Sequence, residues 1–311
     1  MTINLTNRVA VVTGAGAGLG REHALLLARL GAKVMVNDLG SDVHGKSGSG
    51  SAAQKVVEEI KALGGEAVAN GASVTDFQAV RKMIDDTVER WGRVDILVNN
   101  AGILRDKTFS KMELADFRDV LEVHLMGAVN CTKAVWDLMR EQKYGRIVMT
   151  TSSSGLYGNF GQANYGAAKL ALVGLMQTLA LEGAKYDIRV NCIAPTAGTR
   201  MLEGLMPQAM LDALSPAAVS PAIGVLVGED APTRMILCAG AGSFETANIT
   251  LTPGLHLGMG DDVTHELAQR LPEILDRHGE IVPAAGSVQG DVELSKAGFS
   301  MQSAGAELVR A

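Results

Sequence analysis

The stretch Val9–Asp38, VAVVTGAGAGLGREHALLLARLGAKVMVND, decides the fold. It opens on a short β-branched run, Val9–Thr13, and passes through a glycine-rich turn. A helical pattern over Arg21–Leu30 follows, and a second apolar run, Lys33–Asn37, ends at Asp38. Strand, turn, helix, strand is a βαβ unit, and its crossover leaves the two strands parallel. The turn carries Gly14, Gly18 and Gly20 in the spacing T-G-x-x-x-G-x-G. Glycines there let backbone N–H groups approach a pyrophosphate, and the helix N-terminus adds a favourable dipole. Asp38 lies eighteen residues beyond Gly20, where a carboxylate can accept both hydroxyls of an adenosine ribose. It would repel the extra phosphate of NADP, and neither Ala17 nor Leu39 offers a cation for one. NAD is therefore the expected cofactor; the plainer reading leaves Asp38 as a turn cap.

Alternation of the same kind continues down the chain. Helical patterns fall at Val56–Leu63, Phe77–Trp91, Leu114–Arg140 and Tyr165–Tyr186, and strand patterns at Glu66–Ala69, Ile96–Asn99, Ile147–Thr151, Arg189–Ile193 and Met235–Ala239. This predicts an α/β fold: a doubly wound, Rossmann-type parallel sheet with helices on both faces, as a single domain over residues 1–257. Residues 258–311 carry a weaker pattern, with one amphipathic piece at His265–Arg277, and read as a C-terminal extension whose end is poorly tied down. The Gly- and Ser-rich loop Gly40–Ser51 is longer than usual for its place and is expected to be mobile.

Composition limits the function classes. With 311 residues, 47% of them hydrophobic and 20% charged, the chain suits a compact enzyme core. A net charge of -6 argues against nucleic acid. Cys131, Cys192 and Cys238 show no metal-ligand spacing, so no metal is expected, and three scattered cysteines make poor disulfide material. No leader pattern is present at MTINLTNRVAVV and no apolar run is read as spanning a membrane. The last residues, LVRA, are not a peroxisomal Ser-Lys-Leu signal, and a cytoplasmic address is expected.

The second informative stretch is Thr150–Lys169, TTSSSGLYGNFGQANYGAAK. Tyr165 and Lys169 stand four apart and share one face if the segment is helical. A free tyrosine titrates near pH ~10, and a fixed cation beside it favours the phenolate, which makes the pair a candidate acid/base. Ser152 ends the preceding strand pattern and could hydrogen-bond the substrate oxygen. Asn99-Asn100-Ala101-Gly102 can line a cofactor crevice and tie strands together at once. His124, in EVHLMGAVN, reads as a satisfied core histidine rather than a catalytic one. Leu202–Leu214, after Thr199, is amphipathic and is either a lid over an apolar substrate or a core helix.

With TGxxxGxG, NNAG, Ser152 and Tyr165-x-x-x-Lys169 in register, the chain resembles the short-chain dehydrogenase/reductase family over residues 8 to about 250. The resemblance implies Tyr165 as catalytic acid/base, Lys169 binding the nicotinamide ribose and lowering the tyrosine, and Ser152 orienting the carbonyl. It implies cofactor contacts from Gly14, Gly18, Leu19, Gly20, Asp38, Ser73, Val74, Asn99, Ala101, Gly102, Tyr165, Lys169, Pro195 and Thr199. It also implies a homodimer or homotetramer built on the helices Leu114–Arg140 and Tyr165–Tyr186. Two positions depart from the common pattern: His124 stands where the family's tetrad has asparagine, and Pro195-Thr196 where Pro-Gly is usual. NDLGSDVHGKSGSGSAAQKVVEEIKALGG, NNAGILRDKTFSKM, GLYGNFGQANYGAAKLAL and NCIAPTAGTRM are similar to the family's (3R)-3-hydroxyacyl-CoA dehydrogenase subgroup, which carries that histidine and that long loop. The implied activity is NAD-dependent oxidation of a (3R)-3-hydroxyacyl-CoA to the 3-ketoacyl-CoA, on a small-molecule substrate without nucleic acid or membrane. Oxidation of a 17β-hydroxysteroid or another bulky secondary alcohol is the rival within enzymes. A non-catalytic NAD-binding sensor or scaffold is the rival outside them.

Overall fold

The computed structural model describes residues 3–40, 51–198 and 207–300. Among them, eight strands form one sheet in the order β3-β2-β1-β4-β5-β6-β7-β8. The strands are β1 (Val9–Thr13), β2 (Lys33–Asn37), β3 (Ala67–Asn70), β4 (Ile96–Asn99), β5 (Gly145–Thr150), β6 (Ile188–Thr196), β7 (Ile236–Gly240) and β8 (Ser243–Ala247). The first seven are mutually parallel, and β8 turns back antiparallel to β7. The strand order reverses between β1 and β4, the place where doubly wound sheets open a crevice at the strands' carboxyl ends.

Successive side chains on a strand face opposite ways, and the buried residues sort accordingly. Ala10, Val12, Val34, Val36, Ile96, Val98 and Val148 pack with helices α1 (Gly18–Arg29), α2 (Ser51–Ala62) and the later short helices around Val219–Val227. Val11, Met35, Leu97, Ile147, Met149, Val190 and Cys192 pack on the other face. Their partners there are α3 (Phe77–Trp91), α5 (Gly127–Gln142) and α7 (Ala163–Gly183). Two apolar layers thus hold a central sheet, as the near-continuous β-branched runs implied.

The amino ends of the strands are fastened by charge. The Asp95 side chain is fully buried; it accepts from the Val9 backbone N–H at 2.9 Å and from Arg93 Nη2 at 2.6 Å, with Arg8 Nη1 at 3.2 Å. Arg146, also fully buried, donates to carbonyls of Asp187 and Glu229 and lies 4.1 Å from the Tyr144 ring centre.

The expected long helix Leu114–Arg140 is divided. Helix α4 (Leu114–Leu121) passes through one π turn, Glu122–Met126, into α5. A π turn adds a residue without breaking the helix and is common at functional places, and apolar spacing alone does not reveal it. Helix α6 (Ser153–Tyr157) is a single short turn before α7. The remaining short helices are α8 (Gln208–Ala213), α9 (Pro216–Val219) and α10 (Pro221–Val227). Two helical stretches, Ala163–Tyr186 and Gln208–Val227, do reach membrane-spanning length and mean hydropathy, which corrects the expectation that no apolar run approaches it. Both pack on this fold: α7 is hydrogen-bonded to β5, Thr151 Oγ1 donating to the Lys169 carbonyl at 2.6 Å, and the second stretch is three short helices rather than one.

The chain divides into two compact units, Met1–Ala247 and Asn248–Ala311. In the second, Leu251 and Ile281 exchange backbone hydrogen bonds. The amphipathic piece expected at His265–Arg277 is two helices, α11 (Val263–Gln269) and α12 (Leu271–Ile274), interrupted before Pro272, whose ring nitrogen has no hydrogen to continue the ladder. Helix α13 (Ser287–Lys296) follows. The loop expected to be mobile, Gly40–Ser51, and the tail end lie almost wholly outside the described residues.

Candidate active site

The turn between β1 and α1 is built as its glycines require. Gly14 and Gly18 adopt φ +61° and +54°, the left-handed region that a side chain resists. A Cβ on Gly14 would meet Ala101 Cα at 2.8 Å, and one on Gly20 would collide with the Gly14 carbonyl oxygen. At Gly18 nothing among the described residues lies within 4 Å of the added carbon, which leaves room over the helix start where a pyrophosphate would lie. Leu19 follows it in α1, packed in part against the core. Asp38 sits at the end of β2; its Oδ2 accepts from the Gly16 N–H at 2.8 Å and its Oδ1 from the Gly40 N–H at 2.7 Å. The carboxylate therefore shapes the turn, and each oxygen keeps a lone pair for a ribose hydroxyl. A bare cradle beside an acid at the end of the second strand fits a dinucleotide.

The NNAG segment ends β4 and closes the crevice from below. Thr13 Oγ1 accepts from the backbone N–H groups of Asn100 and Ala101, both at 3.1 Å, and Asn100 Nδ2 donates to the carbonyls of Thr13 and Gly14, both at 3.0 Å. Asn99 Nδ2 donates to Thr132 Oγ1 at 3.1 Å. Its structural duty is explicit. Val74 borders a small cavity with Thr13, Asn99, Ala101, His124 and Lys169. Ser73 Oγ lies 2.8 Å from Thr75 Oγ1 in the turn before α3. Pro195 is the second-last residue of β6, opposite Ala239. Thr199 lies outside the described residues, as does the first part of Leu202–Leu214; the remainder contains α8.

Ser152, Tyr165 and Lys169 come together at the carboxyl end of β5. Ser152 is buried and caps α6, its Oγ accepting from the Ser154 N–H at 3.2 Å. The Ser152 hydroxyl stands near enough to the Tyr165 phenol to favour its ionised form. Lys169, one helical turn beyond Tyr165, is buried, donates to the Thr150 carbonyl at 2.6 Å, and places Nζ 5.4 Å from the Tyr165 ring centre. Burial holds the phenol above the ordinary tyrosine value, with the Ser152 hydrogen bond pulling it down and Asp106 adding to the rise. The lowering expected from Lys169 together with bound NAD+ is a proposal for the loaded enzyme. The lysine is pushed down to about 7 by its own desolvation.

Two further residues join this group. His124, in the π turn, brings Nε2 to 2.8 Å from the Ile103 carbonyl oxygen and 3.1 Å from the Ile103 N–H, and its ring meets the Tyr165 ring edge-on at 5.2 Å. Its Nδ1 has no partner among the described residues, so the expectation of a fully satisfied core histidine is not met. Burial, with the nearby Lys169, lowers it to about 3 and keeps it neutral. Asn164, which the sequence reading passed over, is fully buried beside Tyr165; its Nδ2 donates to the Arg105 carbonyl at 3.1 Å and its Oδ1 accepts from the Tyr165 N–H at 2.8 Å. A buried asparagine immediately before the tyrosine was the available signal.

A glycine turn and an acid at one strand end, with a hydroxyl pair and a lysine at another, define a nucleotide-dependent redox fold. The chain matches the short chain dehydrogenase family over residues 8–208 and belongs to it. It is 49% identical over 253 residues to peroxisomal multifunctional enzyme type 2 of Drosophila melanogaster, a match covering 81% of this chain and 41% of that protein. It is 46% identical over 274 residues to a short-chain type dehydrogenase/reductase of Mycobacterium tuberculosis, covering 88% and 96%. Among solved structures, the full-length Drosophila enzyme superposes with a TM-score of 0.77 at 37% identity, covering 95% of this chain and 51% of that one. A 7α-hydroxysteroid dehydrogenase complexed with NADH and 7-oxo glycochenodeoxycholic acid superposes at 0.69 and 31% identity, covering 78% and 96%. The chain thus spans under half the length of the Drosophila enzyme and nearly all of the mycobacterial one. It is a dehydrogenase of this family, an oxidoreductase acting on CH–OH donors.

Proposed function

We propose that this chain oxidises a (3R)-3-hydroxyacyl-CoA to the 3-ketoacyl-CoA with NAD as hydride acceptor. The observation that carries the reading is the gathering of Ser152, Tyr165 and a buried Lys169 at the end of β5, with Lys169 Nζ 5.4 Å from the Tyr165 ring centre. NAD+, when bound, supplies the acceptor for the hydride that leaves the substrate's carbinol carbon. Gly14, Gly18 and Gly20 would seat its pyrophosphate and Asp38 its adenosine ribose, with Lys169 reaching the other ribose. Ser152 Oγ donates to the substrate oxygen and holds it against Tyr165. The Tyr165 phenolate takes the hydroxyl proton as the C=O bond forms. A lysine titrating near 7 can carry the positive charge that this phenolate requires and release it again within the working pH range.

Similarity to a 3-oxoacyl-[acyl-carrier-protein] reductase of Synechocystis, 45% identical over 208 residues, supports the 3-hydroxyacyl reading, and the hydroxysteroid dehydrogenase neighbour supports a second one, a bulky steroid alcohol. Purified chain with NAD+ and either a 3-hydroxyacyl-CoA or estradiol, followed by NADH absorbance, separates them. The acyl-CoA is expected to turn over and the steroid to be slow or silent; the reverse would assign the steroid. We also read residues 1–257 as the catalytic module and α5 and α7 as the seam of a homodimer or homotetramer. A cytoplasmic address, against the peroxisomal names of the relatives, is tested by cell fractionation.

A further inference from the structure

His124 is the least expected member of the site. It sits on a π turn rather than a regular helix, and its ring touches two separate parts of the machinery. One side holds the segment leaving β4, through Nε2 and the Ile103 backbone. The other side presents a ring edge to the Tyr165 ring at 90°. Gly102 is what admits the ring: a Cβ there would run into His124 Cε1 and come within 2.9 Å of Nδ1 and 3.0 Å of Nε2. Asn164 grips the same segment from the tyrosine's own helix, at the Arg105 carbonyl. The loop after β4 is thus pinned between the π turn and the start of α7.

We infer that the His124 imidazole is a positioning residue for Tyr165: anchored on Ile103 and seated over Gly102, it fixes the phenol ring in the orientation that meets Ser152. The contact at 2.8 Å to the Ile103 oxygen, shorter than that to its nitrogen, assigns the proton to Nε2. An edge-to-face ring pair gives the phenol a preferred direction. A neutral ring serves this purpose and a charged one would repel Lys169, which agrees with the low value that burial gives it.

The inference rests on Tyr165 being the acid/base, and two variants of the full chain separate the two arms of the clamp. His124→Phe keeps a ring edge but loses the Ile103 anchor; His124→Gln keeps a donor for Ile103 but loses the edge. Each is expected to lower kcat for a (3R)-3-hydroxyacyl-CoA by about 10- to 100-fold, the usual result of a small misplacement of a reacting group. The NAD+ dissociation constant stays within about twofold of the parent in both, a split that mere loss of stability would not produce. Ultraviolet difference titration against Tyr165→Phe reads the phenol directly and needs no substrate. In His124→Phe, which preserves burial, its midpoint is expected to move up as the phenol turns away from Ser152, whose hydroxyl pulls it down. A folded His124→Phe with unchanged kcat and an unchanged phenol midpoint overturns the inference. If the parent chain itself turns over no acyl-CoA, the substrate reading fails and the phenol titration still decides this one. Should either variant melt too low to assay, Gly102→Ala carries the test, because it displaces the imidazole without removing it. Its kcat loss should vanish in a His124→Ala background, and a loss that persists there counts against the clamp.

Discussion

The Lys169 ammonium lies 5.4 Å from the centre of the Tyr165 ring while donating to the Thr150 carbonyl at 2.6 Å, inside a shell that excludes water. The cation is therefore held by backbone rather than by a carboxylate, and desolvation sets its titration at about 7. In the unfolded chain a lysine holds its proton to about pH 10.4. Between about 7 and 10.4 the unfolded state binds more protons, so this group makes stability rise with pH across that window, and its cost is fully present below 7. Lys169→Met removes the effect. The gap in melting temperature between Lys169→Met and the parent should move in favour of methionine as pH falls from 10 to 7, and level off below. Thermal melts in a buffer series check it; a gap indifferent to pH would mean that the ammonium is not desolvated.

Tyr165→Phe keeps the ring that His124 meets edge-on and removes only the hydroxyl. Turnover should fall by at least about 10²-fold, the ordinary share of a positioned acid/base. NAD+ affinity should change by less than about threefold, measured by calorimetric titration. Retained turnover would remove Tyr165 from the chemistry.

Much of this molecule could be read before any coordinates. Val9–Thr13, Lys33–Asn37, Phe77–Trp91 and Ile96–Asn99 begin and end where their patterns do, because buried parallel strands and amphipathic helices leave plain periodicities. The serine, tyrosine and lysine were legible because their spacing is local. What escaped was non-local. Asn164 gains its meaning from the Arg105 carbonyl, 59 residues earlier. His124 gains it from Ile103 and Tyr165, through a π turn that inserts one residue into an otherwise unbroken apolar pattern. The burial that raises the Tyr165 phenol likewise has no local signature in the sequence.

At the opposite end of the sheet, Asp95 joins β1 to β4 through the Val9 N–H and neutralises Arg8 and Arg93 with a carboxylate that sees no solvent. Asp95→Ala leaves the buried Val9 N–H unpaired and takes a carboxylate from Arg93, while Arg8 keeps Glu229, so urea unfolding should show a loss of about 1–3 kcal/mol. A loss below about 1 kcal/mol would class the cluster as a solvated surface network. NAD+ affinity per folded molecule should be unchanged, since the crevice lies at the other strand ends.

Asp38 shapes a turn and is proposed to choose the nucleotide, and one substitution bears on both. Its oxygens accept from Gly16 and Gly40 and so shape the turn, and its charge stands where a ribose phosphate would enter. Asp38→Asn keeps a carbonyl acceptor for the turn, drops the charge and offers one acceptor fewer to the ribose. Hydrogen bonds to charged groups contribute about 1.5–3 kcal/mol, so NAD+ should weaken by roughly 10- to 100-fold. NADP+ should bind more tightly than to the parent, because its extra phosphate no longer meets a carboxylate. The change in the NAD+/NADP+ ratio should be largest at low salt, where the repulsion is least screened. Fluorescence titrations with both nucleotides at two ionic strengths decide the matter. A variant that melts lower yet keeps the parent ratio would leave Asp38 a turn cap and nothing more.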